Sequence, residues 1–346
     1  GAVLSVRDVY KTYRVRDPKR IFGHNEVKAV RGVSFDVMPG DNFGIVGESG
    51  CGKSTLSRLL TWIEEPDRGQ IFFEGNDVSR MSRKEIFALR SKFQLLLQDP
   101  YNSMPPHMPV GRTIAEPLLI HGNAGRKEVR DRVLAVMGEV GLPHELYNSL
   151  QVGLSAGQRQ RISLARALIL EPDLLILDET LSSLDQVEQG RLLDLFDRLQ
   201  AQHNFTYIFI SHDLAMVRRA CTRIAVMYLG KVVELTDNYT TFFDPGHPYT
   251  RALLSAVPTV EERRYDPGRC LLEGEPPSPV KIPPGCSFNT RCPLSFDKCF
   301  QGDEPPLFER PSGVAACYWA NTPVEEAEAE LAAGRASRVA GPIAAE

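Results

Sequence analysis

"GESGCGKST", residues 47–55, follows the apolar run "NFGIV" at 42–46 and precedes "LSRLL" at 56–60. The order of strand, glycine-rich loop and helix start decides how the rest of the chain is read. The stretch satisfies G-x-x-x-x-G-K-S/T, a pattern that carries a mechanism. Its glycines permit a tight loop whose backbone N–H groups face phosphate oxygens, and the helix beginning after it adds its positive end. Gly47, Glu48, Ser49, Gly50, Cys51, Gly52, Lys53, Ser54 and Thr55 are therefore candidate phosphate-binding residues. Lys53 can reach the β- and γ-phosphates, and the Ser54 hydroxyl can ligate Mg²⁺. Cys51 occupies a variable position of the loop and reads as a bystander.

"LLILDE", residues 174–179, supplies the second half of a nucleotide site. Its apolar residues read as a buried strand, with Asp178 emerging at the end where it can hold Mg²⁺ through water. Glu179 is adjacent and can orient or deprotonate an attacking water. Alone this pattern is weak. Paired with the loop it indicates a nucleoside triphosphatase.

The rest of the chain fits an α/β protein. Apolar strand candidates "DLLILD", "YIFISH" and "RIAVMYLGKVVEL" are separated by helical stretches, which favours a mostly parallel sheet covered on both faces. Residues from about 100 to 165 are mostly helical in pattern. The chain changes character near 245: "DPGHPYTRALLSAVP" reads as a short helix between prolines, and "EGEPPSPVKIPPG" cannot form a regular helix or central strand. With 346 residues, there is room for a full core and a second module. A net charge of −4 gives no support to nucleic-acid binding. No apolar run reaches membrane-spanning length, and the first twenty residues lack a signal peptide's apolar block.

Between the two nucleotide motifs lies "LSAGQRQR", residues 154–161, directly before "ISLARALILEP". Here the sequence resembles the ATP-binding cassette (ABC) transporter ATPases, and more closely their peptide-importer branch, over roughly residues 1–319. The "HPYTRALL" stretch at 247–254 sharpens the likeness. The resemblance implies a nucleotide-binding domain at 1–245 with a mixed β-sheet core and an inserted helical subdomain at about 100–165. It further implies a C-terminal extension at 246–319, leaving the Ala/Glu-rich tail 320–346 without a role.

By the same resemblance, Ser155, Ala156, Gly157 and Gln158 form a signature segment presented to ATP held by a partner cassette. Gln98 corresponds to a glutamine that senses Mg²⁺ and water. Tyr13 corresponds to an aromatic residue stacked on adenine, Asp185 to the loop coupling two opposed sites, and His212 to a histidine at the γ-phosphate. His247 reads as structural. Two departures stand out: the family usually has Gly where this chain has Ala156, and "TLSSLD" at 180–185 replaces the common "PTSALD". A methyl group at 156 could crowd ATP or restrict the backbone.

The function implied is that of an ATP-hydrolysing subunit energising an inner-membrane importer of dipeptides or oligopeptides. Nickel or another small solute as cargo, and a soluble non-transport ABC ATPase, are the alternatives. Expected partners are a second, homologous ATPase subunit, two membrane permeases and an extracytoplasmic solute-binding protein. The expected location is the cytoplasmic face of the inner membrane.

Cys286, Cys292, Cys299 and Cys317 remain, separated by five, six and seventeen residues. Four thiolates can hold tetrahedral zinc or a [4Fe–4S] cluster. The gaps are wider than those of common zinc fingers. Because relatives with this tail resemble iron–sulfur-bearing cassettes, the expectation is a structural [4Fe–4S] cluster, with Zn²⁺ as the alternative and free or disulfide-linked cysteines left open. Cys221 and Cys270 read as packing thiols.

Overall fold

The computed structural model describes residues 1–16, 23–97, 104–122, 125–182, 184–255, 257, 272, 274–322 and 329. Its strands are β1 (Leu4–Arg16), β2 (His24–Val37), β3 (Asn42–Val46), β4 (Arg68–Phe73), β5 (Asn76–Asp77), β6 (Phe93–Leu96), β7 (Leu174–Asp178), β8 (Thr206–Ser211), β9 (Arg223–Tyr228), β10 (Lys231–Asp237), β11 (Phe308–Arg310) and β12 (Gly313–Ala315). Its helices are α1 (Lys53–Leu60), α2 (Arg83–Leu89), α3 (Val110–His121), α4 (Arg126–Glu139), α5 (Ala156–Leu168), α6 (Gln186–His203), α7 (Leu214–Ala220), α8 (Asn238–Phe243) and α9 (Pro248–Ser255). The chain divides into two compact units. One comprises Gly1–Val9, Ser34–Gly44 and Ser54–Asp213; the other comprises Tyr10–Val33, Ile45–Lys53 and the chain from Leu214 onward.

In the first unit, β6, β7 and β8 pair in parallel, with Gln94 opposite Leu175 and Leu175 opposite Tyr207. All five residues of β7 and all six of β8 are buried, which explains their continuous apolar runs. The parallel arrangement brings the ends of β7 and β8, with Asp178 and Ser211, to one edge. Among the described residues, four longer helices, α3 to α6, belong to the same unit. Ser155 starts α5 with a capping box: its hydroxyl accepts the Gln158 N–H while the Gln158 side chain accepts the Ser155 N–H. Arg166 of α5 pairs with Glu116 of α3 at 2.6 Å.

In the second unit the ladder is antiparallel, in the order β9-β10-β12-β11. The run "RIAVMYLGKVVEL" is therefore a hairpin rather than one strand. Its turn lies at Leu229 and Gly230, both at positive φ (42° and 80°), as a two-residue hairpin loop following the strand twist requires. A mostly parallel sheet is thus only half of the architecture. The fold is α/β with a mixed complement of strands, because a second apolar run turns back on itself. Tyr228, Tyr249 and Phe288 pack ring against ring in this unit, with centroids 4.6–5.4 Å apart.

Candidate functional site

The phosphate loop up to Lys53 belongs to the second unit, where it lies tight against its neighbours. A Cβ on Gly52, at φ +107°, would approach the Ala29 carbonyl oxygen to 2.2 Å, and one on Gly47 would meet the Met227 carbonyl oxygen at 2.3 Å. Only glycine allows this backbone approach. The Gly230 N–H donates to the Cys51 carbonyl at 2.8 Å, so the hairpin turn holds the loop from behind. Lys53 is 4% exposed. Its ammonium folds back over the loop and donates to the carbonyls of Gly47 (2.8 Å) and Glu48 (3.1 Å). Cys51 is buried, and that burial pushes its thiol above the ordinary range despite the nearby Lys53 charge.

In the first unit, Ser54 and Thr55 open the body of α1. One turn on, Ser57 Oγ donates to Asp178 Oδ2 at 2.6 Å, orienting the carboxylate at the end of β7. Glu179 follows with a left-handed backbone, φ 48°. Its N–H donates to the Ile210 carbonyl at 2.9 Å, and its own carbonyl accepts from the Ser182 N–H (3.2 Å) and hydroxyl (2.8 Å). This turn swings the side chain off the strand axis, and His212 Nδ1 stands 3.3 Å from Glu179 Oε1. The Ser211 hydroxyl accepts the Asp213 N–H at 2.9 Å, which fixes the turn carrying His212. Within the first unit, the Ser54 hydroxyl and the oriented Asp178 carboxylate are hard oxygen donors of the kind Mg²⁺ takes. When bound, Mg²⁺ supplies charge neutralisation at the phosphates, with Ser54 and Asp178 as the residues that would hold it.

The other expected residues are placed as follows. Ser155 and Gln158 form the capping box, and Ala156 is the first residue of α5. Ala156 has no positive φ, so its methyl group imposes no backbone strain. A Cβ on Gly157 would lie 2.6 Å from Glu188 Oε2. Asp185 caps α6, accepting the N–H groups of Val187 (3.0 Å) and Glu188 (2.9 Å). Tyr13 lies on β1 with Lys11 Nζ 5.9 Å from its ring centroid. Gln98, Cys270 and nearly all of the Ala/Glu-rich tail fall outside the described residues. Residues that sequence reasoning missed are Ser57, Tyr249 and Arg291. Ser57 had a signal, its one-turn spacing from Ser54; the other two had none in local sequence.

The cysteine module corrects an expectation. Cys286, Cys292, Cys299 and Cys317 do line one cavity, but it measures about 10 Å³, at the lower limit for a single water. Among the described residues no group of three or more His, Cys, Asp or Glu side chains is arranged to hold a metal ion. The [4Fe–4S] cluster and its zinc alternative are therefore set aside. The four are free cysteines with no disulfide between them. Burial pushes Cys286 and Cys317 up to about 12 and Cys292 well above the ordinary thiol range, so they pack as small apolar protonated side chains. Hydrogen bonds shape the module instead. The Cys299 carbonyl accepts from the Cys286 N–H (2.9 Å) and Asn289 Nδ2 (3.0 Å), and Gly285, at φ 68°, allows that approach.

Comparison with known proteins agrees with this architecture. The family model described as ABC transporter matches residues 30–182, and that described as Oligopeptide/dipeptide transporter, C-terminal region, matches 233–299. The chain is 41% identical to the oligopeptide transport ATP-binding protein AppF of Bacillus subtilis, over 91% of this chain and 97% of the relative. It is 42% identical to the di/tripeptide transport ATP-binding protein DppF of Pseudomonas aeruginosa, over 92% and 98%. Among solved structures, cbiO1 of Clostridium perfringens, part of the ABC transporter complex cbiONQ, is 27% identical. It superposes with a TM-score of 0.61 over 70% of this chain and 90% of that one. The ATP-binding cassette MJ0796 bound to ADP and Pi, at 23% identity and a TM-score of 0.60 over 68% and 98%, shares the fold. The chain belongs to the ATP-binding proteins of ABC transporters, in the oligopeptide/dipeptide branch.

Proposed function

We propose that this chain couples ATP hydrolysis to peptide import through the residues assembled at the ends of β7 and β8. It is the ATP-hydrolysing subunit of a dipeptide or oligopeptide ABC importer. The observation that carries the catalytic reading is the placement of Glu179, held by its left-handed turn with His212 3.3 Å from its carboxylate. Glu179 orients the attacking water and accepts its proton. His212 steadies Glu179 and reaches toward the γ-phosphate. Lys53 leaves its own loop carbonyls to bind the phosphates, and Ser155 at the start of α5 offers its hydroxyl and helix end to ATP on a partner cassette. Tyr13 stacks on the adenine, and Asp185 links the opposed sites.

The partner is a second cassette, arranged head to tail. The pair sits on the cytoplasmic face of the membrane against two permeases, with cargo delivered by an external binding protein. No helix among the described residues is long and apolar enough to cross a membrane; in this reading the permeases form the pathway. Residues 1–245 then serve as the nucleotide-binding domain and 246–319 as its extension.

The test is Glu179→Gln in the complex purified from its native membrane and reconstituted with binding protein in liposomes. ATP binding should persist while turnover falls at least about a hundredfold and uptake of labelled dipeptide stops. Wild-type turnover in E179Q would refute the role of Glu179. Absence of permeases from the purified complex would refute transport.

A further inference from the structure

The second residue of the phosphate loop is an acid. A carboxylate beside a site built for a triphosphate raises the free energy of the bound anion, the more so in a partly buried setting. Glu48 is nevertheless there, and the structure provides a countercharge from far along the chain. Arg291, whose side chain is 4% exposed, makes a two-pronged ion pair with Glu48: Nη1 to Oε2 at 2.7 Å and Nη2 to Oε1 at 3.0 Å. The pairing suits the guanidinium, whose planar fork matches a carboxylate. Its orientation is set by the aromatic cluster, with the guanidinium carbon 6.0 Å from the ring centroids of Tyr228 and Phe288.

The same loop residue is held a second way. Its N–H donates to Tyr249 Oη at 2.9 Å, and Tyr249, on α9, is fully buried. A third hold comes through the hairpin turn that touches Cys51. There Arg31 Nε donates to the Leu229 carbonyl (2.6 Å), while the Arg31 guanidinium also reaches Ser287 Oγ (2.8 Å) and Glu304 Oε1 (3.0 Å). Lys231 meets Glu304 at 2.8 Å. Tyr249, Ser287, Arg291 and Glu304 all lie in the C-terminal extension.

We propose that Arg291 is a positioning residue for nucleotide binding, and that the C-terminal extension sets the affinity of the phosphate loop for ATP by neutralising and holding Glu48. The inference rests on residues 47–55 being the phosphate cradle. Without Arg291, a half-buried anion is stranded beside the triphosphate and the loop loses its rear support. The contacts described for Arg291 do not include Glu179 or His212. The effect therefore falls on affinity rather than on the chemical step.

The experiment uses the assembled complex and two readings: ATP binding by titration calorimetry, and steady-state hydrolysis for KM and kcat. Arg291→Met should raise the dissociation constant and KM about tenfold or more, with kcat within about twofold of wild type. Arg291→Lys, which retains the charge and loses the fork, should lie between. The double variant E48Q/R291M strands no charge and should recover most of the lost affinity. It also keeps the test open if R291M alone does not fold. Wild-type ATP affinity in R291M overturns the proposal, as does a double variant that binds ATP as weakly as R291M. A wild-type complex that binds no ATP overturns the cradle reading and the clamp together; ATP binding by wild type and R291M alike overturns the clamp alone.

Discussion

Ser57 Oγ donates to Asp178 Oδ2 at 2.6 Å, joining α1 to the end of β7 across 121 residues of sequence. A hydrogen bond to a buried carboxylate is worth about 1.5–3 kcal/mol, and this one fixes which way the carboxylate faces. Ser57→Ala should therefore raise the Mg²⁺ concentration needed for half-maximal ATP hydrolysis about tenfold or more. Titration of Mg²⁺ at saturating ATP measures it, and an unchanged midpoint would remove Ser57 from the site.

His212 contacts Glu179 through Nδ1 at 3.3 Å and is more than half exposed. In the function proposed above, its contribution belongs to the chemical step. His212→Ala should lower kcat by about a hundredfold with KM within about threefold, measured by phosphate release. A pure KM effect would show that the imidazole binds ATP without helping hydrolysis.

Gly52→Ala combines a left-handed backbone at φ +107° with a Cβ 2.2 Å from the Ala29 oxygen. Both faults act on the loop that holds phosphate. ATP binding should be lost, and thermal unfolding should show a destabilisation of at least about 2 kcal/mol. A variant that melts and binds like the parent would mean the loop has another way to lie.

Acid should weaken the C-terminal extension in a definite window. Burial, with the Arg251 charge, takes His247 from 6.5 down to about 3, and only a backbone hydrogen bond with Ala316 opposes this. Its Nδ1 accepts the Tyr249 N–H at 3.0 Å, which requires the neutral ring. The unfolded chain thus binds the extra proton between about pH 6.5 and 3. Stability from this group is complete above 6.5 and declines as pH falls through that range, by at most about 1.4 kcal/mol per unit. Burial acts to raise Glu304, but Arg31, Lys231 and Ser287 outweigh it and hold the carboxyl below its ordinary 4.5, adding a loss that sets in below that value. His247→Gln should flatten the decline between pH 6.5 and 4.5 in thermal melts. An equal slope in both proteins would assign the acid sensitivity elsewhere.

What the sequence discloses here follows from range. The strand–loop–helix order around Lys53 and the "LLILDE" strand are local patterns, so their elements can be placed from a few neighbouring residues. Glu179's left-handed turn cannot, because the Ile210 carbonyl that supports it comes from another strand. The antiparallel hairpin is hidden for a related reason: most of β9 and β10 is buried, so alternation is faint and only Leu229–Gly230 marks the turn. Arg291 meets Glu48 across 243 residues and leaves no spacing to read. The cysteines mislead in the opposite way. Their spacing indicates that they can gather, and they do, but spacing carries no information about the volume left between them.

The stretch after Glu179 departs from the usual family pattern at 180, 181 and 183, yet it keeps Ser182. That serine returns both its N–H and its hydroxyl to the Glu179 carbonyl. The turn at Glu179 is thus held by the main chain and one hydroxyl. Replacing Ser182 would remove the hydroxyl and leave the N–H, so the turn at Glu179 would lose one of the two bonds its carbonyl accepts from that residue without any change to the carboxylate itself.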